Sequence, residues 1–180
     1  MIPNSIYQFT TIFYEIHPIG QLLLIAAIVA LWTMLNKDLL EKAKRIINTA
    51  FCTAIIFVII LLGLINRVTM DRNYYLVSFQ LLFPLQMYRL QQIILNTLFF
   101  VPLGLTLPYV FTEKTSKPIR ISILCGFLLS LTVELLQLIL RRGTFETTDI
   151  IMNTLGTATG TLSFFIYSRN RKGSDKNDSK

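Results

Sequence analysis

Apolar residues along this chain fall in uninterrupted blocks, not in the spread expected of a soluble core. Residues 19–35, 46–65, 93–111, 121–140 and 150–167 form five such blocks, each 17 to 20 residues long. A helix rising 1.5 Å per residue needs about 20 apolar residues to cross a hydrocarbon layer roughly 30 Å thick. The pattern therefore predicts an all-α, polytopic integral membrane bundle of five transmembrane helices. Two of the segments outside the blocks are also apolar. Residues 1–18 contain PNSIYQFTTIFYEIHP, rich in aromatics and without Lys or Arg, which suits a segment at the membrane–water boundary and lacks the positive start of a signal peptide. The connection 66–92 contains YYLVSFQLLFPLQMY. It is too short and too broken by Pro84 for a sixth span, yet too apolar for a free loop, so it is expected to lie on the outer surface or to dip in as a cap. The expected division is an interfacial segment 1–18, a bundle 19–167, and a disordered basic tail 168–180.

Charge adds an orientation. Lys and Arg number four in NKDLLEKAKR, three in TEKTSKPIR and five in the tail, against three in the 66–92 connection and two in RRGTFETTD. With five spans these alternate sides, and the richer side is cytoplasmic. The N-terminus is then outside, the C-terminus inside, and the turn between the last two spans faces the exterior. A net charge of +7 on 180 residues reads as cytoplasmic loops facing anionic lipid. No soluble segment interleaves aromatics with basic residues, so a nucleic-acid partner is set aside. Cys52 and Cys125 both lie inside apolar blocks without metal-ligand spacing and read as buried, inert thiols.

Polar residues inside the blocks carry the candidate chemistry. Glu134, Gln137 and Arg141 are three and four apart, one stripe of a helix. Asp149, Asn153, Gly156 and Gly160 form a second stripe on the next helix, antiparallel to the first because the turn between them is short. Facing each other, the stripes would enclose Glu134, Gln137, Arg141, Arg142, Glu146, Asp149 and Asn153 away from lipid. Ionisable groups within a span suggest function by default. The structural alternatives are a protonated Glu134 serving as an interhelical donor, an ion pair with Arg141 or Arg142, and Asp149 as a helix cap or dipole partner. Gly156 and Gly160 in GTATG are a packing motif. Pro102, Gly104 and Pro108 should bend the third span and free carbonyls for neighbouring helices. Asn96, near its outer end, could reach Glu134 or Asp149, or make an ordinary interhelical hydrogen bond.

NTLFFVPLG, then ELLQ, then RRGTFETTDIIMNTLGTATG together resemble the VanZ-like family of bacterial membrane proteins. The resembling positions are Asn96, Phe100, Pro102, Gly104, Glu134, Gln137, Arg142, Gly143, Glu146, Asp149, Asn153, Gly156 and Gly160, with Glu146 standing where many members carry Asp. The likeness covers a core of about 66–167, with the first span and the basic loop 36–45 outside it. It implies a setting in the bacterial cell envelope. For the founding member it also implies a link to reduced susceptibility to teicoplanin, a lipid-tailed glycopeptide.

Three functions compete. The expected one is binding of an amphiphile, an envelope lipid precursor or a lipoglycopeptide, with Arg141 or Arg142 holding a phosphate or carboxylate. The others are an intramembrane enzyme acting on an envelope lipid and a small lipid transporter, and a purely structural partner of another envelope protein also stays open. His17 is the only histidine, no nucleophile motif is present, and no metal set beyond carboxylates occurs. No cofactor and no resident metal are expected, although a carboxylate-bound divalent cation stays open. Membrane lipids are the expected partners, and no oligomeric state follows.

Overall fold

The computed structural model describes residues 18–36, 40–65, 74–75, 87–111 and 117–177. Its elements are α1 (Pro18–Leu35), α2 (Glu41–Ile65), β1 (Tyr74–Tyr75), α3 (Met87–Phe111), α4 (Pro118–Leu140), β2 (Phe145–Glu146) and α5 (Thr147–Asn177). Each apolar block seeds one helix. Three of them, α2, α3 and α4, contain apolar stretches long enough to cross a membrane, at Lys42–Leu64, Ile93–Phe111 and Pro118–Leu140. The described part of α1 offers a shorter stretch, Ile25–Leu35. α5 is diluted by threonine and glycine, but several of its hydroxyls turn back on their own helix. Those of Thr154, Thr157, Thr159 and Ser163 donate to carbonyls four residues earlier at 2.7–3.2 Å. A hydroxyl satisfied in this way is cheap to hold in an apolar medium.

The distribution of polarity is the inverse of a soluble protein's. Leu124, Phe127, Leu128, Leu135, Ile139, Leu155, Leu162 and Ile166 are exposed, while Thr106, Ser122, Ser130, Glu134, Gln137, Thr157 and Thr161 are buried. An apolar exterior of this extent needs a lipid environment.

α3 and α5 pack closest, across three glycines. Gly104 lies against the carbonyl of Thr157 and the amide of Thr161, and a Cβ there would come within 2.8 Å of that amide. Gly160 meets Val101 and Leu105, and Gly156 meets Thr97 and Phe100. The GTATG motif is thus the seat of α3. α3 runs helical through both Pro102 and Pro108. Pro108 cannot donate to Gly104 O four residues back, and the Thr161 hydroxyl of α5 donates to that carbonyl instead at 3.2 Å.

Apolar packing forms two clusters. Cys52, Ile59, Phe100, Leu103, Leu107 and Val133 join α2, α3 and α4, and Trp32, Leu105 and Phe164 join α1, α3 and α5. The Trp32 ring lies 6.2 Å from Tyr109 and 5.9 Å from Tyr167. The C-terminal ends of α1 and α3 and the distal part of α5 therefore share one end of the bundle, with α2 and α4 starting there. This end carries the basic loops. At the opposite end α2 finishes, α3 starts, and the α4–α5 turn closes.

Two expectations change. α5 does not stop at Tyr167 but continues to Asn177, so most of the tail expected to be disordered is helical. A helix already formed extends at one hydrogen bond per residue fixed, and Arg169, Arg171 and Lys172 are good helix formers. Cys52 and Cys125 are free thiols, as expected, but Cys125 is only half-buried. Residues 1–17 of the expected interfacial segment 1–18 and most of the 66–92 connection lie outside the described residues. Of that connection, residues 87–92 already belong to α3, and Tyr74 and Tyr75 pair in parallel with Phe145 and Glu146. At this point the connection lies beside the α4–α5 turn.

A polar stripe beneath the α4–α5 turn

Ser130, Glu134 and Gln137 occupy successive turns of one face of α4, and all three are buried, Glu134 and Gln137 at 2 % exposure. The opposite face carries Leu128, Leu135 and Ile139, which are exposed. Each polar residue of the stripe reaches a different neighbour. Gln137 Nε2 donates to Gly63 O of α2 at 2.9 Å. α2 ends at Ile65, so this carbonyl is among the last four, which have no partner within their own helix. Gly63 lets α4 come close: a Cβ there would meet Val133 Cγ1 at 2.6 Å. Glu134 Oε2 accepts the backbone N–H of Glu146 at 2.9 Å, immediately before α5 starts. A carboxylate at a helix N-terminus is favoured by the unpaired amides and the helix dipole. Asn153 Nδ2 of α5 donates to Ser130 Oγ at 2.9 Å. Glu134 and Gln137 thus close the ends of two neighbouring helices.

Two atoms in this array have no donor. Gln137 Oε1 and Asn153 Oδ1 are buried and without a hydrogen-bond partner. The orientation of Gln137 is fixed, because a carbonyl can only accept and Nε2 must face Gly63. The stripe from Ser130 to Gln137 rises about 10 Å along α4, so the two open acceptors lie on either side of Glu134.

The turn departs from the expected arrangement at Arg141. α4 ends at Leu140, and Arg141 takes a left-handed conformation, φ 55°, at the helix C-cap. Gln137 O accepts the amide of Arg141 and also, at 2.9 Å, that of Arg142. The left-handed residue swings the chain off the helix axis, so Arg141 leaves the Glu134–Gln137 stripe and is exposed. This conformation costs a residue with a Cβ about 1–2 kcal/mol. Gly143 follows at φ 88°, where glycine carries no such cost. Arg142 is half-buried at the tip.

The other expected site residues divide. Glu146 joins the site through its backbone amide, not its carboxylate. Asp149 lies inside the first turn of α5, not ahead of it, so the cap role falls away and the dipole role fits. Asn153 is in the array. Asn96 is half-buried on α3 beside Thr97, the residue that Gly156 contacts, and forms no hydrogen bond to Glu134 or Asp149. Gly104, Gly156 and Gly160 belong to the α3–α5 contact, and Pro102 is buried within α3, where its carbonyl accepts the Thr106 hydroxyl at 3.1 Å. Among the described residues, no three His, Cys, Asp or Glu side chains come together as a metal-ligand group. Sequence reasoning overlooked Ser130 and Gly63. Ser130, four residues before Glu134, was open to the same spacing argument, whereas Gly63 contributes only a carbonyl and leaves no side-chain signal.

The VanZ/LLP1 family model matches residues 22–168. The match takes in α1 and the basic loop 36–45, which were expected outside the shared region. No curated protein and no solved structure matches this chain. A family model covering most of the chain, together with helices of membrane-spanning length and an apolar exterior, identifies it: this protein belongs to the VanZ/LLP1 family.

Proposed function

We propose that this protein is a multi-pass protein of the bacterial cell membrane that binds the polar head of an amphiphile beneath the α4–α5 turn. The ligand is an envelope lipid precursor or a lipoglycopeptide of the teicoplanin type, and its capture contributes to resistance to such antibiotics. All five helices span, the N-terminus is outside, the C-terminal helix ends in the cytoplasm, and the turn opens to the exterior.

One observation carries this reading: two buried acceptors, Gln137 Oε1 and Asn153 Oδ1, stand unpartnered on either side of Glu134. Buried polar atoms are nearly always paired, and an exception asks for an explanation, which a donor on a bound ligand supplies. Gln137 and Ser130, the residue that Asn153 bonds, are about 10 Å apart along α4, a spacing suited to the hydroxyls or amides of an extended sugar or peptide head. Arg142, half-buried at the tip, supplies a bidentate contact for a phosphate or carboxylate on the same ligand. Binding is favoured over catalysis because the Glu134 carboxylate is engaged in closing α5.

The cellular test places the wild type, Glu134→Gln and Arg142→Ala in a susceptible host at matched membrane levels. The expected outcome is reduced teicoplanin susceptibility with the wild type alone. Equal susceptibility in all three strains and the empty-vector strain would remove the resistance role.

A further inference from the structure

The basic end of the bundle holds a cleft that the outer site does not use. Its volume is about 430 Å³, and it is lined by Lys117, Pro118, Ile119 and Arg120 at the start of α4 and by Phe165 of α5. Three features bear on what it takes. Lys117 and Arg120 place two cations at its rim. No side chain caps the N-terminus of α4, where Lys117 holds the cap position and Pro118 begins the helix, so amides of the first turn point outward with the positive end of the helix dipole. The membrane-spanning stretch of α4 begins at Pro118 itself, which sets the cleft at the level where hydrocarbon gives way to head groups. Phe165 and Ile119 continue its wall toward the apolar side. One turn further in on α4, the Ser122 hydroxyl is fully buried and has no partner. Pro118, which lines the cleft together with Phe165 of α5, and Gly126, which lies against Thr157 of α5, are four residues to either side of Ser122 and put it on the same α5-facing side of α4.

We propose that this cleft is a binding site for an anionic phospholipid. The phosphate sits between Arg120, Lys117 and the first-turn amides of α4, and an acyl chain runs down past Ile119 and Phe165. A zwitterionic lipid presents the same phosphate with an ammonium beside it, which the two cations disfavour. A soluble phosphate lacks the chain that Phe165 and Ile119 receive. The site is independent of the proposed amphiphile site, which lies at the other end of the bundle.

The test uses the full chain in nanodiscs of phosphatidylcholine containing a minor fraction of phosphatidylglycerol, followed by native mass spectrometry of the lipid retained on release. Lys117→Ala/Arg120→Ala removes the two cleft cations. Lys42→Ala/Arg169→Ala removes two exposed cations outside the cleft and controls for diffuse charge. Retained phosphatidylglycerol should fall on the order of tenfold in the cleft pair, should stay near wild type in the control pair, and should not be displaced by millimolar inorganic phosphate. Equal loss in both pairs, displacement by free phosphate, or no loss in a cleft pair that keeps wild-type thermal stability would each overturn the site.

Discussion

Both ends of this bundle bury amide side chains, and they do so in opposite ways. At the basic end Asn48, fully buried, accepts from Trp32 Nε1 at 2.7 Å and donates to Asn36 Oδ1 and Lys44 O, each at 2.7 Å. Asn36, equally buried, donates to Trp32 O at 2.8 Å. Both amides have donor and acceptor in use, and the ring of Trp32 closes over them with Tyr109 and Tyr167. This is a lock that fixes the α1–α2 hairpin. At the turn end, Gln137 and Asn153 use their donors and leave their acceptors open. Burial of polar groups alone is therefore no sign of a site in a membrane bundle. Polar groups left half-satisfied are the sign.

The comparison can be broken first where the two ends are joined. Gly156→Val puts a branched side chain against the Thr97 carbonyl and Phe100, and is expected to cost more than about 3 kcal/mol through overpacking. Loss of monodisperse protein after detergent extraction is the measurable outcome. Asn48→Leu removes the acceptor of Trp32 Nε1 and one donor to Asn36 Oδ1, costing about 2 kcal/mol, read as a lower melting temperature in detergent. Gln137→Met keeps the volume but uncovers Gly63 O, costing about 1 kcal/mol. It also removes one open acceptor, so it should weaken head-group binding where Asn48→Leu does not. Arg141→Gly relieves the left-handed cap and is expected to raise stability by about 1 kcal/mol. If the same change lowers antibiotic protection, the exposed guanidinium is held in a strained position for its contact with ligand.

Much of this was legible in the chain, because the spans are blocks of apolar residues and the stripe obeys the helical period. Glu134, Gln137 and Asn153 were placed by spacing alone, and GTATG announced the close seat of α3. Arg141 was misplaced because the same spacing was extended one residue past the helix, and nothing in RRG tells which residue turns left-handed. The Asn36–Asn48–Trp32 lock was missed because both asparagines sit beside a basic loop, where asparagine is unremarkable. Only the fold brings Asn48 against both Asn36 and Trp32. The carbonyls of Gly63 and Gly104 belong to the backbone and acquire partners only through packing.

The most direct measurement is equilibrium binding of teicoplanin, and of a glycosyl diacylglycerol in parallel, to purified wild type, Glu134→Gln and Asn48→Leu in the same detergent. The account predicts that Glu134→Gln, whose amide oxygen can still accept the Glu146 N–H, keeps its melting temperature within a few degrees but binds at least one of the two ligands about tenfold more weakly or worse. Asn48→Leu should melt earlier and bind as the wild type does. Binding that is lost only with stability, or that ignores Glu134, would contradict it.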